Sequence, residues 1–173
     1  MKEIILAGGC FWGVEAYYKR LKGVIDTQVG YTDGPQNPPC YRDVCNHSGH
    51  VEAVKISYDP SVIPFDAILD HFFRIIDPTE VNRQGSDIGI QYRSAIYIAT
   101  EDEKRNAKAW IDRVQLRYAK KIQTEVKMSC TFFDAEAYHQ DYLDKNPTGY
   151  CHVRMHLAKD EELKEEYRVS HSS

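Results

Sequence analysis

"IILAGGCFWGVEAYYKRLKG", residues 4–23, changes periodicity half-way along, and that change decides the fold. Ile4-Ile5-Leu6-Ala7 is a short unbroken apolar run, the pattern of a buried strand. From Val14 to Leu21 the apolar groups recur at helical spacing, Lys19 and Arg20 make a basic end, and Gly23 supplies a stop. A strand therefore runs directly into a helix, with Gly8 and Gly9 at the junction and Cys10 at or just before the first helical turn. A helix N-terminus presents free N–H groups and the positive end of the helix dipole, so a thiol there is expected to lose its proton more readily. Free cysteines also serve as small buried hydrophobes, and that reading stands beside the reactive one. The paired glycines, which let other atoms approach the backbone, favour a reactive thiol.

The chain has 173 residues, 42% of them hydrophobic, enough for one domain, 1–173, with its own core. A net charge of -4 gives no electrostatic footprint for nucleic acid. No apolar run approaches the roughly 18 residues of a membrane span, and the short stretch after Lys2-Glu3 does not make a signal peptide. A soluble, cytoplasmic protein with no membrane partner is expected. Its 5 cysteines, at positions 10, 40, 45, 130 and 151, are odd in number in a chain too long to need staples. They point to chemistry or burial, not to a disulfide framework.

Further along, alternation reads as strands over 24–31 and 51–58. Residues 61–76 place Phe65, Ile68, Leu69, Phe72, Phe73 and Ile76 on one face of a helix. A strand over 93–99, a long polar-faced helix over 101–121, a strand over 124–129 and a short helix over 134–143 follow. The order β-α-β-β-α-β-α-β predicts an α/β (α+β) protein, a split βαβ, ferredoxin-like two-layer sandwich with a mixed sheet. A charged tail begins at about residue 158. Two long loops, 32–50 and 77–92, lack apolar periodicity, which marks them as functional. In the first, Cys40, Cys45, His47 and His50 are spaced as possible ligands. Structural zinc sites have tighter cysteine pairs and a longer intervening stretch, so no metal is expected. Glu52, at the mouth of the next strand, is either a solvated strand-end carboxylate or an acid. The second loop holds Asp87 and Tyr92, the latter equally suited to a core.

Five segments in order, "GGCFWGVE" (8–15), "VGYTDGPQNPPCYRDVCNHSGHVEAV" (29–54), "YDPSVIPFDAILDHFF" (58–73), "DPTEVNRQGSDIGIQYRSAIY" (77–97) and "HQDYLDKNPTGYC" (139–151), resemble the A-type peptide methionine sulfoxide reductases. The resemblance covers about residues 3 to 152. It implies reduction of the S epimer of methionine sulfoxide, free or in proteins, as a repair of oxidative damage without a cofactor. Cys10 is implied as the nucleophile that becomes a sulfenic acid, and Phe11 and Trp12 as the pocket for the substrate's S-methyl group. Glu52, with the hydroxyls of Tyr41 and Tyr92, is implied to bind the sulfoxide oxygen and donate a proton, with Asp87 supporting that polar wall. Thioredoxin, or glutaredoxin with glutathione, is implied as reductant.

The resemblance ends at Cys151. Relatives often continue into a glycine-rich tail with another cysteine, whereas "HVRMHLAKDEELKEEYRVSHSS" has neither. Cys151 is thus the remaining resolving thiol, or a buried one, since Cys151, Val153, Met155 and Leu157 alternate with polar residues at strand period. Another thiol oxidoreductase or a peroxidase is the alternative function, though the C-x-x-C motif of the former is absent.

Overall fold

A computed structural model describes residues 1–35, 38–45 and 48–168. Along the chain these form β1 (Lys2–Ala7), α1 (Phe11–Lys19), β2 (Val24–Thr32), α2 (Tyr41–Cys45), β3 (Val51–Tyr58) and α3 (Phe65–Ile75). Then come β4 (Arg83–Gln84), β5 (Asp87–Ile88), β6 (Ala95–Ile98), α4 (Glu101–Val114), β7 (Glu125–Met128), β8 (Phe133–Asp134) and α5 (Tyr142–Lys145). β1 pairs antiparallel with β3 on one side and β6 on the other, and β2 pairs antiparallel with β3. β1 and β2 therefore run parallel with β3 inserted between them, which is the split βαβ arrangement. Parallel β7 and antiparallel β8 extend the edges into a six-stranded mixed sheet, β7-β6-β1-β3-β2-β8. The α/β expectation holds, and the central order is compatible with a ferredoxin-like sandwich.

Strand alternation divides the apolar residues into two faces. Ile4, Leu6, Val29, Tyr31, Val54, Ile56, Ile96 and Ile98 share one core with Val14 and Tyr17 of α1, Ile68 and Phe72 of α3, and Trp110 of α4. The opposite face carries a smaller cluster, Ile5, Ala7, Val51, Ala53, Ala95 and Tyr97, beside Phe132. The period of two that sends Val54 and Ile56 towards the helices sends Glu52 the same way.

Several boundaries differ from the sequence reading. α3 starts at Phe65, with Pro64 in extended geometry just before it, and not at residue 61. α4 ends at Val114 and tightens into a 3-10 turn, Gln115–Arg117. Its start is fixed by a reciprocal cap: the Glu103 N–H donates to Thr100 Oγ1 at 3.1 Å, and the Thr100 hydroxyl donates to Glu103 Oε1 at 3.2 Å. The helix expected over 134–143 is broken into β8, a 3-10 turn (Ala137–His139) and α5, with Asp141 at φ 53°. Gln140 explains the break. Its side-chain amide accepts the Val29 N–H (3.0 Å) and donates to the Val29 carbonyl (2.9 Å), holding the chain against β2.

The strand-period alternation over 151–157 does not produce a strand. Val153 is buried, as the alternation implied, but no strand lies alongside, and Met155–Leu157 is a 3-10 turn. The charged stretch beyond 158 is packed down. Leu21 bridges Leu163, the Lys22 N–H donates to the Glu162 carbonyl at 2.9 Å, and Glu162 takes both guanidinium nitrogens of Arg74 at 2.7 and 3.0 Å. The loops are also tied together: Arg93 donates to the carbonyls of Ile90 (2.8 Å), Asp33 (3.1 Å) and Gly49 (3.3 Å). Among the described residues no helix is long and apolar enough to cross a membrane.

Phe72 is fully buried at the centre of the main core. Phe72→Ala leaves a cavity there and is expected to cost about 3–5 kcal/mol. Urea unfolding, read from the midpoint at unchanged slope, checks this value.

Candidate active site

β1 delivers the chain to Gly8-Gly9, and Gly9 turns it at φ +81°, where a side chain would be strained and would also meet the His152 ring. Cys10 follows in extended geometry (φ -62°, ψ 125°) as the N-cap of α1. Phe11, the first helical residue, donates its N–H to Glu52 Oε1 at 3.2 Å. The start of β3 and the start of α1 are thereby joined across a distance of 41 residues in sequence. Glu52 is 1% exposed, and its Oε2 has no hydrogen-bond partner among the described residues. It is not a solvated strand end.

Burial controls both groups. It pushes the Glu52 carboxyl up to about 8; the Phe11 N–H lowers it in part, and Asp87 adds to the rise. Glu52 is therefore mostly protonated at neutral pH. Burial also drives the Cys10 thiol well above its ordinary value, with Glu52 next, and the N–H of Trp12 only partly offsets this. The expectation of an easily ionised thiol is corrected here. Cys10 is 6% exposed, so the helix terminus competes with desolvation and loses.

The aromatic residues predicted at the site do come together. The Phe11 ring lies 5.7 Å from Tyr31 and 6.5 Å from Tyr41, the latter stacked. Tyr41 opens α2, and its N–H donates to Glu136 Oε2 (3.1 Å), while Glu136 Oε1 accepts from the Tyr31 hydroxyl (2.9 Å). Both the Tyr41 and Tyr92 phenols are raised, first by burial and then by the Glu52 charge, so both lie within its electrostatic reach. Tyr92 also feels Cys10 and Asp87. Asp87, in the β4–β5 hairpin, accepts from the Tyr150 hydroxyl at 2.9 Å. Cys151, half-buried, lies over the first turn of α1: its Sγ is 3.2 Å from where a Cβ on Gly13 would stand, and 3.3 Å from the Val153 carbonyl. Of the residues considered as ligands, Cys40 is exposed, His50 bonds Ser48 Oγ and the Pro35 carbonyl, and His47 lies outside the described residues. No cluster able to hold a metal ion is present among the described residues.

The sequence reading missed residues that hold these in place. Glu15 is buried on α1, its oxygens accepting the Asp141 N–H (2.8 Å) and the Thr27 hydroxyl (3.1 Å). Its signal was available: a carboxylate inside the otherwise apolar run 14–18. His139, Glu136 and His152 gave no periodic signal.

A family model described as Peptide methionine sulfoxide reductase matches residues 2–171. The chain belongs to the peptide methionine sulfoxide reductase family. The Peptide methionine sulfoxide reductase MsrA of Clostridium tetani is 50% identical over 156 residues, covering 90% of this chain and 95% of that protein. Among solved structures, reduced Mxr1 from Saccharomyces cerevisiae superposes with a TM-score of 0.82 at 37% identity, covering 88% of this chain and 91% of the other. Mxr1 in complex with Trx2 matches with a TM-score of 0.57 at 28% identity, over 82% and 84% of the two chains. The chain is thus a reductase of methionine sulfoxide.

The raised Glu52 carboxyl makes a prediction about this reductase's stability. Unfolded, Glu52 ionises near 4.5; folded, near about 8. The folded state binds the extra proton between these values, so this contribution is fully present below the lower value and lost as pH rises through the upper one. Glu52→Gln cannot ionise. Its urea midpoint should exceed the wild-type value at about pH 9 and approach it at about pH 4. A difference independent of pH would contradict the assignment.

Proposed function

We propose that this reductase acts on the S epimer of methionine sulfoxide, free and in proteins, with Cys10 as nucleophile and Glu52 as proton donor. The observation that carries this reading is the buried, protonated Glu52 carboxyl held on the same helix start that carries Cys10. Sulfoxide sulfur is a poor electrophile until its oxygen accepts a proton. Glu52 gives that proton, aided by the Tyr41 and Tyr92 hydroxyls, and the Cys10 sulfur attacks. That attack joins the two sulfurs; the hydroxyl then passes to the Cys10 sulfur as the S–S bond and the substrate's S–O bond break, so methionine leaves and Cys10 becomes a sulfenic acid. The proton lost by the Cys10 thiol replaces the one Glu52 supplied, so the step is balanced: Cys10 is oxidised by two electrons and the sulfoxide reduced by two. With burial and the Glu52 charge both holding it as a thiol, Cys10 gives up its proton only as the emptied Glu52 carboxylate takes it. Phe11 and Trp12 hold the methyl group by shape, since a methyl offers no hydrogen bond. Asp87, which accepts from the Tyr150 hydroxyl, lies close enough for its charge to act on Glu52 and Tyr92. A peroxidase has no need of such an apolar wall.

For recycling, Cys151 attacks the sulfenic acid, forms a disulfide and releases water. Its place over the Gly13 turn, close enough for its charge to act on Cys10, supports this reading. A dithiol reductant of the thioredoxin class then restores both thiols, as the match to Mxr1 in complex with Trx2 suggests; glutaredoxin with glutathione is the other source. A cytoplasmic setting suits the free cysteines.

Single-turnover assays test the first step. Cys10→Ser should release no methionine, and Glu52→Gln should be slower by about 10²–10⁴-fold. A racemic sulfoxide should be consumed to half; continued loss of the R epimer would contradict the pocket.

Recycling is tested separately. Cys151→Ser should still release one methionine per enzyme but stall with thioredoxin, and small thiols should partly restore turnover. Unchanged thioredoxin-driven turnover would remove Cys151 from the cycle.

A further inference from the structure

Trp12 is held on two sides. Its indole stacks on the Tyr142 ring with centroids 3.7 Å apart and planes 8° from parallel, and its Nε1–H donates to His139 Nδ1 at 3.0 Å. The two contacts do different things. A stacked ring can still slide and rotate in its own plane, whereas a directional N–H bond fixes that rotation. His139 is 1% exposed, with ring centroids 5.2 Å from Phe11 and 4.6 Å from Tyr41, among the aromatic residues of the site. Because Nδ1 accepts, the proton sits on Nε2, which is buried with no hydrogen-bond partner among the described residues. Burial also lowers the imidazole's affinity for a second proton, so Nδ1 stays an acceptor. An apolar side chain would fill this nest without leaving an unpaired donor, so the histidine costs stability that its bond to Trp12 must justify. The segment that carries it is itself fastened. Gln140 grips Val29, and the next N–H, of Asp141, is taken by Glu15 on the same helix as Trp12.

We propose that His139 is a positioning residue that, by accepting the Trp12 indole N–H, sets the angle of that ring and makes the pocket selective for an S-methyl over a larger S-alkyl group. This rests on the reading of Phe11 and Trp12 as the methyl pocket. His139 touches neither the reacting sulfur nor the oxygen; it acts through Trp12.

The test compares N-acetyl methionine sulfoxide with its S-ethyl homologue in the full-length enzyme. One extra methylene in a fitted pocket is discriminated by roughly 10–200-fold in kcat/KM. His139→Asn places an amide oxygen where Nδ1 stood, and His139→Gln carries its oxygen past that point. Both are polar and of similar bulk, so a folding defect does not separate them. His139→Gln should lose about tenfold in kcat/KM for the methyl substrate, mainly through KM, and most of the methyl preference. His139→Asn should keep the preference within about threefold of wild type. The indole N–H resonance of Trp12, identified by its loss in Trp12→Phe, should shift in His139→Gln and stay near its wild-type place in His139→Asn. Wild-type discrimination in His139→Gln, or equal loss in both variants, would overturn the inference while leaving the site intact. A wild-type enzyme that did not prefer the methyl substrate would instead overturn the pocket on which the inference rests.

Discussion

The hydrogen bond from the Phe11 N–H to Glu52 joins the two parts of the molecule on which everything else depends. A helix N-terminus offers N–H groups that need acceptors, and a buried carboxyl needs donors. Here each supplies the other, but with one bond only. That single donor is too little to keep Glu52 ionised at 1% exposure, so the carboxyl keeps its proton near neutrality. The same enclosure keeps Cys10 a thiol at rest. A more generous set of donors would have produced a stable carboxylate, with no proton to give and a charge that raises the Cys10 thiol further.

Around this bond the fold works mainly to bring distant segments to one helix start. β3 brings Glu52, the loop before it brings Tyr41, and the turn after the β4–β5 hairpin brings Tyr92. Arg93 ties both loops together through their carbonyls, and Glu136 fixes the backbone of Tyr41. Past β8 the chain returns along the edge of β2 to lay His139 and Tyr142 on Trp12, then crosses α1 at Gly13 with Cys151. Gly13 has a plain steric reason: any side chain there would press on Cys151 and Val153. The tail then closes over α1 and α3 through Leu163 and the Arg74–Glu162 pair. Glu162 is held down to about 2 by Arg74, so this closure persists until strongly acid pH.

Local pattern accounted for much of this. The switch from apolar run to helical spacing at residues 4–23 located the strand, the helix and Cys10 between them, because each element's period is a property of its own backbone. The same held for 51–58, although the sequence left open whether Glu52 at its mouth was solvated or buried. It failed where tertiary bonds override period. Residues 134–143 look helical but are pulled apart by Gln140 bonding to β2. Residues 151–157 alternate like a strand, yet their alternation reflects one buried residue, Val153, on a coil that crosses α1.

The sequence by itself determined which chemical groups were available and on which element each would sit: the thiol at a helix start, the carboxyl at a strand mouth, two aromatics next to the thiol. Five segments in order also carried the family. Only the tertiary structure decided the protonation of those groups. A pKa is set by how much water is removed and which charges lie near, and here that enclosure is built from β1, β3, both long loops and the returning chain together. Sequence proximity suggested that the helix end would ionise Cys10; the packing of segments dozens of residues apart removed the water that ionisation requires.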